Sequence, residues 1–321
     1  MSIEYLVTLY SGKKRIGSAD FWNTSLQTLP PGSGTADDGF WFAGGQGKII
    51  AVPMGSATRN WYYISYDYGV SWVLGTFPLT RQPYSVTYGN GQFFVLLRGT
   101  SASVPALLLV SSDGGTWTTR DTAVYSSRYW SNCSFVNGML CLWYQGGTRF
   151  ARSLDSGFTW TVHVYPTGWA RQVAGDGNST IVVAGQTNSA FSTDNGTTWS
   201  SVAFDTSTTS VAYGGGLFCT PSTTTTARYS PNGVNWYASA PMPFAATWNS
   251  VIYAENQFIF VGSVASAKVS CHTQDFATWR VAPMLGGTYR QLGTVDGYVV
   301  AGKDTDNTIL RSRYPSSVVF P

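Results

Sequence analysis

The chain has 321 residues, of which 11% are charged and 15% aromatic, and carries a formal net charge of +3. That thin and dispersed charge argues against a phosphate-tracking nucleic-acid surface, which needs clustered cations. An apolar content of 43% excludes a disordered chain.

At the N-terminus, Glu4 stands where a signal peptide would carry positive charge, and Lys13-Lys14-Arg15 reads as a solvated turn. Nowhere does an apolar run approach the ~18 residues of a membrane helix. The expectation is a soluble chain without signal peptide or membrane insertion. Further on, seven apolar runs each follow a Gly- or Asn-containing turn. They are "GKIIAV" at Gly47, "GQFFVLL" at Gly91, "GMLCLW" at Gly138, "GNSTIVVAG" at Gly177, "GLFCT" at Gly216, "NQFIFVG" at Asn256 and "GYVVAG" at Gly297. A short strand precedes each turn, and a third strand follows each apolar run.

After six of the third strands stands a recurring phrase. "SYDYGVSW" (65–72), "SLDSGFTW" (153–160) and "STDNGTTW" (192–199) share one frame. "SSDGGTW" (111–117) and "SPNGVNW" (230–236) are one residue shorter. "HTQDFATW" (272–279) reads as a degenerate copy in the long frame, without the Ser, Asp and Gly. The phrase tryptophans recur roughly every 40 residues, and a unit of four short strands with that period is a β-propeller blade.

Seven turns predict a seven-bladed all-β propeller, a single domain over 1–321; six blades with an N-terminal appendage is the alternative. The seventh blade, formed by about 281–321, lacks its last strand. "DFWNTSLQTLP", with Trp22 in the tryptophan place, is expected to supply it, so residues 1–30 close the ring.

The phrase resembles the Asp-box, or BNR repeat, of sialidases and sortilin-type receptors. The resemblance spans roughly 60–280 and implies local fold rather than activity. It implies a turn between third and fourth strands, on the face away from the families' active site. The residue chemistry agrees: Ser and Asp accept backbone N–H groups, Gly takes a positive φ, and Trp plugs the blade. Asp67, Asp113, Asp155, Asp194 and Asn232 are therefore expected to be structural.

A sialidase-like hydrolase would need a Tyr–Glu pair and an arginine cluster, but the only glutamates are Glu4 and Glu255. The loop pairs Asp37-Asp38 and Asp304/Asp306 read as solvated turns, so a glycoside hydrolase is the alternative rather than the expectation. His163 and His272 stand in a fourth strand and in the degenerate phrase, and both read as structural. Four cysteines show no metal spacing, and an Asn137-Gly138 turn would pair Ser134 with Cys141 and put Cys133 on the other face. No metal and no cofactor are expected.

Aromatic residues recur where the first strands begin: Trp41, Tyr84, Trp130, Trp169, Trp248 and Tyr289, accompanied by Arg128, Arg171 and Arg290. Two readings are open, packing between blades or a ligand surface at the channel mouth. In composition the chain resembles bacteriophage virion proteins, tail-associated or capsid-decorating, with hydroxyl-rich loops such as "RGTSASVP" and "TPSTTTTA". The expectation is a non-enzymatic module of a virion that binds a host-surface saccharide or a virion protein. A scaffold docked to a larger assembly is a further alternative.

Overall fold

Each of the seven apolar runs becomes the second strand of a four-stranded antiparallel sheet. The computed structural model describes residues 22, 27–30, 39–55, 58–99, 104–122, 130–144, 147–166, 168, 170–185, 189–202, 208–221, 225–254, 256–264, 267–284, 289–303 and 308–312. An N-terminal strand, β1 (Gln27–Thr28), precedes the blades. Blade 1 is β2 (Phe40–Gly45), β3 (Lys48–Pro53), β4 (Arg59–Ser65) and β5 (Val73–Arg81). Blade 2 is β6 (Pro83–Gly89), β7 (Gln92–Leu97), β8 (Leu107–Ser111) and β9 (Thr118–Asp121). Blade 3 is β10 (Asn132–Val136), β11 (Met139–Trp143), β12 (Arg149–Ser153) and β13 (Thr161–Val164). Blade 4 is β14 (Ala170–Gly175), β15 (Ile181–Gly185), β16 (Ser189–Ser192) and β17 (Ser200–Val202). Blade 5 is β18 (Ala212–Gly214), β19 (Leu217–Pro221), β20 (Ala227–Ser230) and β21 (Tyr237–Ala238). Blade 6 is β22 (Thr247–Ala254), β23 (Gln257–Val264), β24 (Ala267–Thr273) and β25 (Arg280–Pro283). Blade 7 is β26 (Tyr289–Val295), β27 (Tyr298–Lys303) and β28 (Thr308–Arg311), completed by β1.

First strands touch one another in ring order, from β2 through β6, β10, β14, β18, β22 and β26 back to β2, so they line the axis of a seven-bladed β-propeller. Their inner edges have no strand partner across the channel, and hydroxyls from the neighbouring blade fill the gap. Cys133 N–H donates to Ser85 Oγ (2.8 Å), Phe135 N–H to Thr87 Oγ1 (3.0 Å) and Val251 N–H to Ser210 Oγ (2.9 Å). The second strands are buried along most of their length because they are covered by a blade on each side.

Five of the hairpins between first and second strands carry two consecutive positive φ angles, as at Asn90-Gly91 (48°, 73°) and Asn137-Gly138 (51°, 75°). That is the twist-matched two-residue turn, and it fixes the expected register of Ser134 opposite Cys141. All four cysteines are free and buried.

Ring closure uses the N-terminal strand. Gln27 pairs with Ile309 and Thr28 with Thr308, and Trp22 bridges Ser312. Trp22 does the job of a phrase tryptophan. It is buried between blades 6 and 7, and its indole N–H donates to Ser270 Oγ at 2.9 Å. Arg280–Pro283 is the outer strand of blade 6, and blade 7's own strands start at Tyr289.

Candidate functional site

The six phrases cap one face of the ring, at the ends of the third strands, and their polar atoms are consumed locally. In blade 3, Gly157 N–H donates to Ser153 Oγ (2.7 Å), and Ser153 Oγ–H donates to Asp155 Oδ1 (2.7 Å). The same carboxylate accepts the amides of Phe158 (3.0 Å) and Thr159 (2.8 Å), and Oδ2 takes the Thr159 hydroxyl (2.6 Å). Asp67 and Asp194 repeat this set with Ser71 and Thr198, and Asp113 and Asn232 repeat its core. Hydrogen bonds from the Thr159 side chain and amide, then from Ser153, hold the Asp155 carboxyl down at about 2.

One expectation about the phrase is corrected. The copy in blade 6 does not stand in the long frame and has not lost its acid. It is the short form, beginning at Thr273, with Asp275 as the acceptor for Ala277 N–H (2.9 Å) and Thr278 N–H (2.8 Å). Phe276 occupies the glycine position at φ 56°. Its ring fills the space between blades, stacked on Tyr229 with centroids 4.5 Å apart. The sequence signal was present: Thr-x-Asp followed three residues on by Thr-Trp.

On the opposite face, where first strands start, the predicted aromatics separate. Trp130, Trp248 and Tyr289 are buried at 1–3% exposure, which for these three is the packing reading and not the ligand surface. Trp130 packs with Phe94, Leu96 and Leu142 between blades 2 and 3, Trp248 packs against Phe244 and Phe260, and Tyr289 packs with Ile259 and Val261 between blades 6 and 7. Trp41 and Tyr84 are half-buried. Trp169, Arg128 and the Arg290 side chain lie outside the described residues, as do Glu4, Glu255, Asp37, Asp38, Asp304 and Asp306.

The channel holds a cavity of about 260 Å³. Trp41 and the exposed Arg171 both line it, so two of the predicted residues meet there. They are joined by Asn132, Trp143, Gln172 and Gln291, which the sequence reading did not single out. Trp143 is buried, and its indole N–H has no partner among the described residues. No Asp or Glu lines this cavity among the described residues, and no cluster of three metal-ligating side chains occurs among them.

A second grouping sits at the same end of the ring, at the junction of blades 1 and 2. The Arg98 guanidinium lies 5.4 Å from the Tyr84 ring centroid and donates to Gln82 Oε1 at 2.9 Å. Arg81 Nη2 donates to the carbonyls of Arg98 (2.5 Å) and Pro105 (2.7 Å). Arg59, the register partner of Arg81, is 7% exposed and donates to the Met54 carbonyl at 2.8 Å. Arg59, Arg81 and Arg98 were not among the arginines expected on this face. Only Arg98, by opening the loop "RGTSASVP", was within a stretch the sequence drew attention to.

No helix among the described residues is long and apolar enough to cross a membrane. No protein-family model and no curated protein matches the chain. Solved structures do. YCF48 bound to D1 peptide is similar over 94% of this chain and 97% of that chain, at 15% identity and a TM-score of 0.68. Virginiamycin B lyase from Staphylococcus aureus is similar over 90% and 98%, at 10% identity and a TM-score of 0.69. A chain of the mitotic checkpoint complex is similar over 95% and 95%, at 10% identity and a TM-score of 0.68. A lyase, a peptide-bound protein and a chain of a multiprotein complex stand side by side at this identity, so what the likeness establishes is the seven-bladed propeller and nothing further about activity.

Proposed function

We propose that the protein is a non-enzymatic recognition propeller that engages its ligand on the face where the first strands begin, at the channel mouth. One observation carries this reading: Trp41, Trp143 and Arg171 surround the cavity together with neutral amides, and no carboxylate lines it among the described residues. Two facing carboxylates are what glycoside hydrolysis would require. Aromatic planes beside amide and guanidinium donors suit the hydroxyls and ring faces of a saccharide, or a protein loop. The phrases are Asp-boxes in this reading, and Asp67, Asp113, Asp155, Asp194 and Asn232 fasten blades. The finer assignment, a phage virion protein that binds host-surface glycan, rests on composition. YCF48 bound to a D1 peptide and the checkpoint complex chain are propellers found with peptide or protein partners, which fits a protein ligand as well.

A glycan array probed with wild type, Trp41→Ala and Arg171→Gln tests this. Hits weakened about tenfold or more by both substitutions support the channel mouth, as expected when central aromatic and arginine contacts are removed. Hits untouched by either remove it, and release of new reducing ends overturns the non-enzymatic reading. A second reading, docking through the phrase face, is favoured by exposed apolar side chains there: Tyr66, Val70, Leu154 and Phe158 are 55–77% exposed.

A further inference from the structure

We propose that the group received by the channel wall is a carboxylate, and that the ligand carrying it is an acidic saccharide built of hexuronate units. This rests on the channel reading above and narrows it. The seven first strands hold only two residues of formal charge, Arg171 in β14 and Arg290 in β26, and neither Asp nor Glu. A wall whose charges are of one sign draws in ligands of the other. Four of these strands also gain residues at the same point, close to their start. Ala170 and Gln172 pair with the adjacent Gly185 and Ala184, so Arg171 is an extra residue. Tyr84 and Asn249 are extra in the same way, and Arg290-Gln291 stand opposite Gly302 alone. Such bulges re-aim side chains and are over-represented at barrel rims and beside active sites. Two of the four are accounted for by neighbours: the Tyr84 ring lies under Arg98, and Asn249 Nδ2 donates to the Tyr289 carbonyl at 2.9 Å. The other two are the only places in the first strands where Arg-Gln occurs, in blades 4 and 7, and Arg171, Gln172 and Gln291 all line the cavity.

The hydrogen bonds on the wall orient one of these groups. Ser210 Oγ–H donates to Gln172 Oε1 at 2.5 Å, which leaves the amide N–H₂ as the end still to be satisfied. Arg171, beside it in the chain, is exposed. A guanidinium and a neighbouring amide N–H₂ are donors that suit a carboxylate. The rest of the lining distinguishes a sugar acid from an acidic peptide. The Trp41 ring is half-buried in the cavity wall, and the Ser134 and Thr294 hydroxyls, which both donate and accept, line it as well. An aspartate or glutamate side chain needs only donors. A hexuronate unit brings hydroxyls that need both kinds of partner and an apolar ring face that needs a flat surface.

The test is fluorescence anisotropy with two labelled probes, hexagalacturonate and the same oligomer fully methyl-esterified, at about 50 mM salt, where screening is weak. The ester keeps the sugar and removes the charge. The acid should bind saturably and about tenfold or more tighter than the ester. Arg171→Gln and Gln172→Glu should each weaken the acid about tenfold and leave the ester within about twofold; Gln172→Glu still accepts from Ser210 but repels a carboxylate. Arg171→Lys, which keeps charge but loses the fork, should cost the acid several-fold. Trp41→Ala should weaken both probes alike, and Arg280→Gln, an exposed arginine in β25 of blade 6, should move neither by more than about twofold. If Gln172→Glu fails to fold, the two variants at the exposed Arg171 decide. Equal binding of acid and ester, both weakened by Trp41→Ala, would overturn the carboxylate and leave the channel reading standing. Binding indifferent to Trp41→Ala, Arg171→Gln and Gln172→Glu would remove the channel as well. No saturable binding of either probe, or tighter binding of hexaglutamate than of hexagalacturonate, would overturn the saccharide.

Discussion

Acid should loosen this ring through one histidine well before its phrase carboxylates titrate. His272 in β24 is 3% exposed, and its Nε2 lies 2.8 Å from Ser270 Oγ, the hydroxyl that also receives the Trp22 indole N–H. Burial, with a smaller contribution from the Arg280 charge, pulls its pKa from 6.5 down to about 3. In the unfolded chain the imidazole takes its proton near 6.5, and in the folded chain only near 3. Between those values the unfolded state binds one more proton, so stability falls as pH falls; above 6.5 and below 3 His272 adds no slope. A depression of that size is worth at most about 5 kcal/mol, or about 2 kcal/mol between pH 6.5 and 5, a sizeable part of a typical domain's stability. Urea unfolding from pH 7.5 to 4.5 measures it, with His272→Gln as the reference that cannot charge but can still accept from Ser270. Wild type should lose stability across this range and His272→Gln should stay flatter by about 3 kcal/mol. His163 contributes equally to both curves. Parallel curves would refute the argument.

Three further outcomes follow from the phrases. Asp155→Ala should cost about 1–2 kcal/mol, because solvent can reach the amides it leaves, and Ser153→Ala about 2–3 kcal/mol, because Gly157 N–H is buried; denaturant titration giving the reverse order would make the carboxylate the keystone. Phe276→Gly should be destabilised less than Phe276→Ala, since both lose the buried ring but only glycine relieves the positive φ by about 1 kcal/mol; equal melting temperatures would contradict the strained turn. Asp155, Asp194 and Asp275, held near 2, contribute stability that is present above about pH 4 and lost as pH falls through 2; an NMR titration placing the Asp155 carboxyl near 3.8 would contradict its hydrogen bonds.

The fold was legible because its signals are local. Positive-φ turn residues mark each hairpin, and Trp22 stands out as a phrase tryptophan without its phrase. The blade 6 phrase was misread because Phe276 does what glycine does elsewhere, and a frame search keyed on glycine slides past it. The site was read only in part. Alignment by strand start placed Trp41 and Trp130 together, yet one lines the channel and the other is packed at 1% exposure. That difference depends on packing between neighbouring blades, which strand periodicity does not encode. Arg81 and Arg98 meet only because β5 carries a bulge: Trp61 pairs with Thr76, but Arg59 pairs with Arg81. The bulge drops Phe77 onto Tyr62, with centroids 4.5 Å apart, and returns the chain to the face at Arg81.

Phrase length has a physical meaning of its own. In the long form two successive residues take positive φ: Tyr68-Gly69, Ser156-Gly157 and Asn195-Gly196. The carbonyl of the first then meets an arginine from the preceding blade. Arg311 Nε donates to Tyr68 O at 2.7 Å, and Arg120 and Arg152 donate to Ser156 O and Asn195 O. In the short phrase of blade 2, a neutral donor serves instead, the Tyr62 hydroxyl on Gly114 O at 2.9 Å. In the short phrases of blades 5 and 6 the corresponding carbonyls take the Trp236 indole N–H and the Ala240 amide, so the arginine latch belongs to the long form. These guanidiniums bind blades to one another, and the phrase acids are saturated by their own turns, so neither set is available for a ligand. At the other end of the ring, Arg81 is tied to the carbonyls of Arg98 and Pro105, whereas Arg171 is exposed and lines the channel cavity. The same residue type closes the ring on one face and is presented on the other, and that asymmetry directs the search for function to the strand-start face.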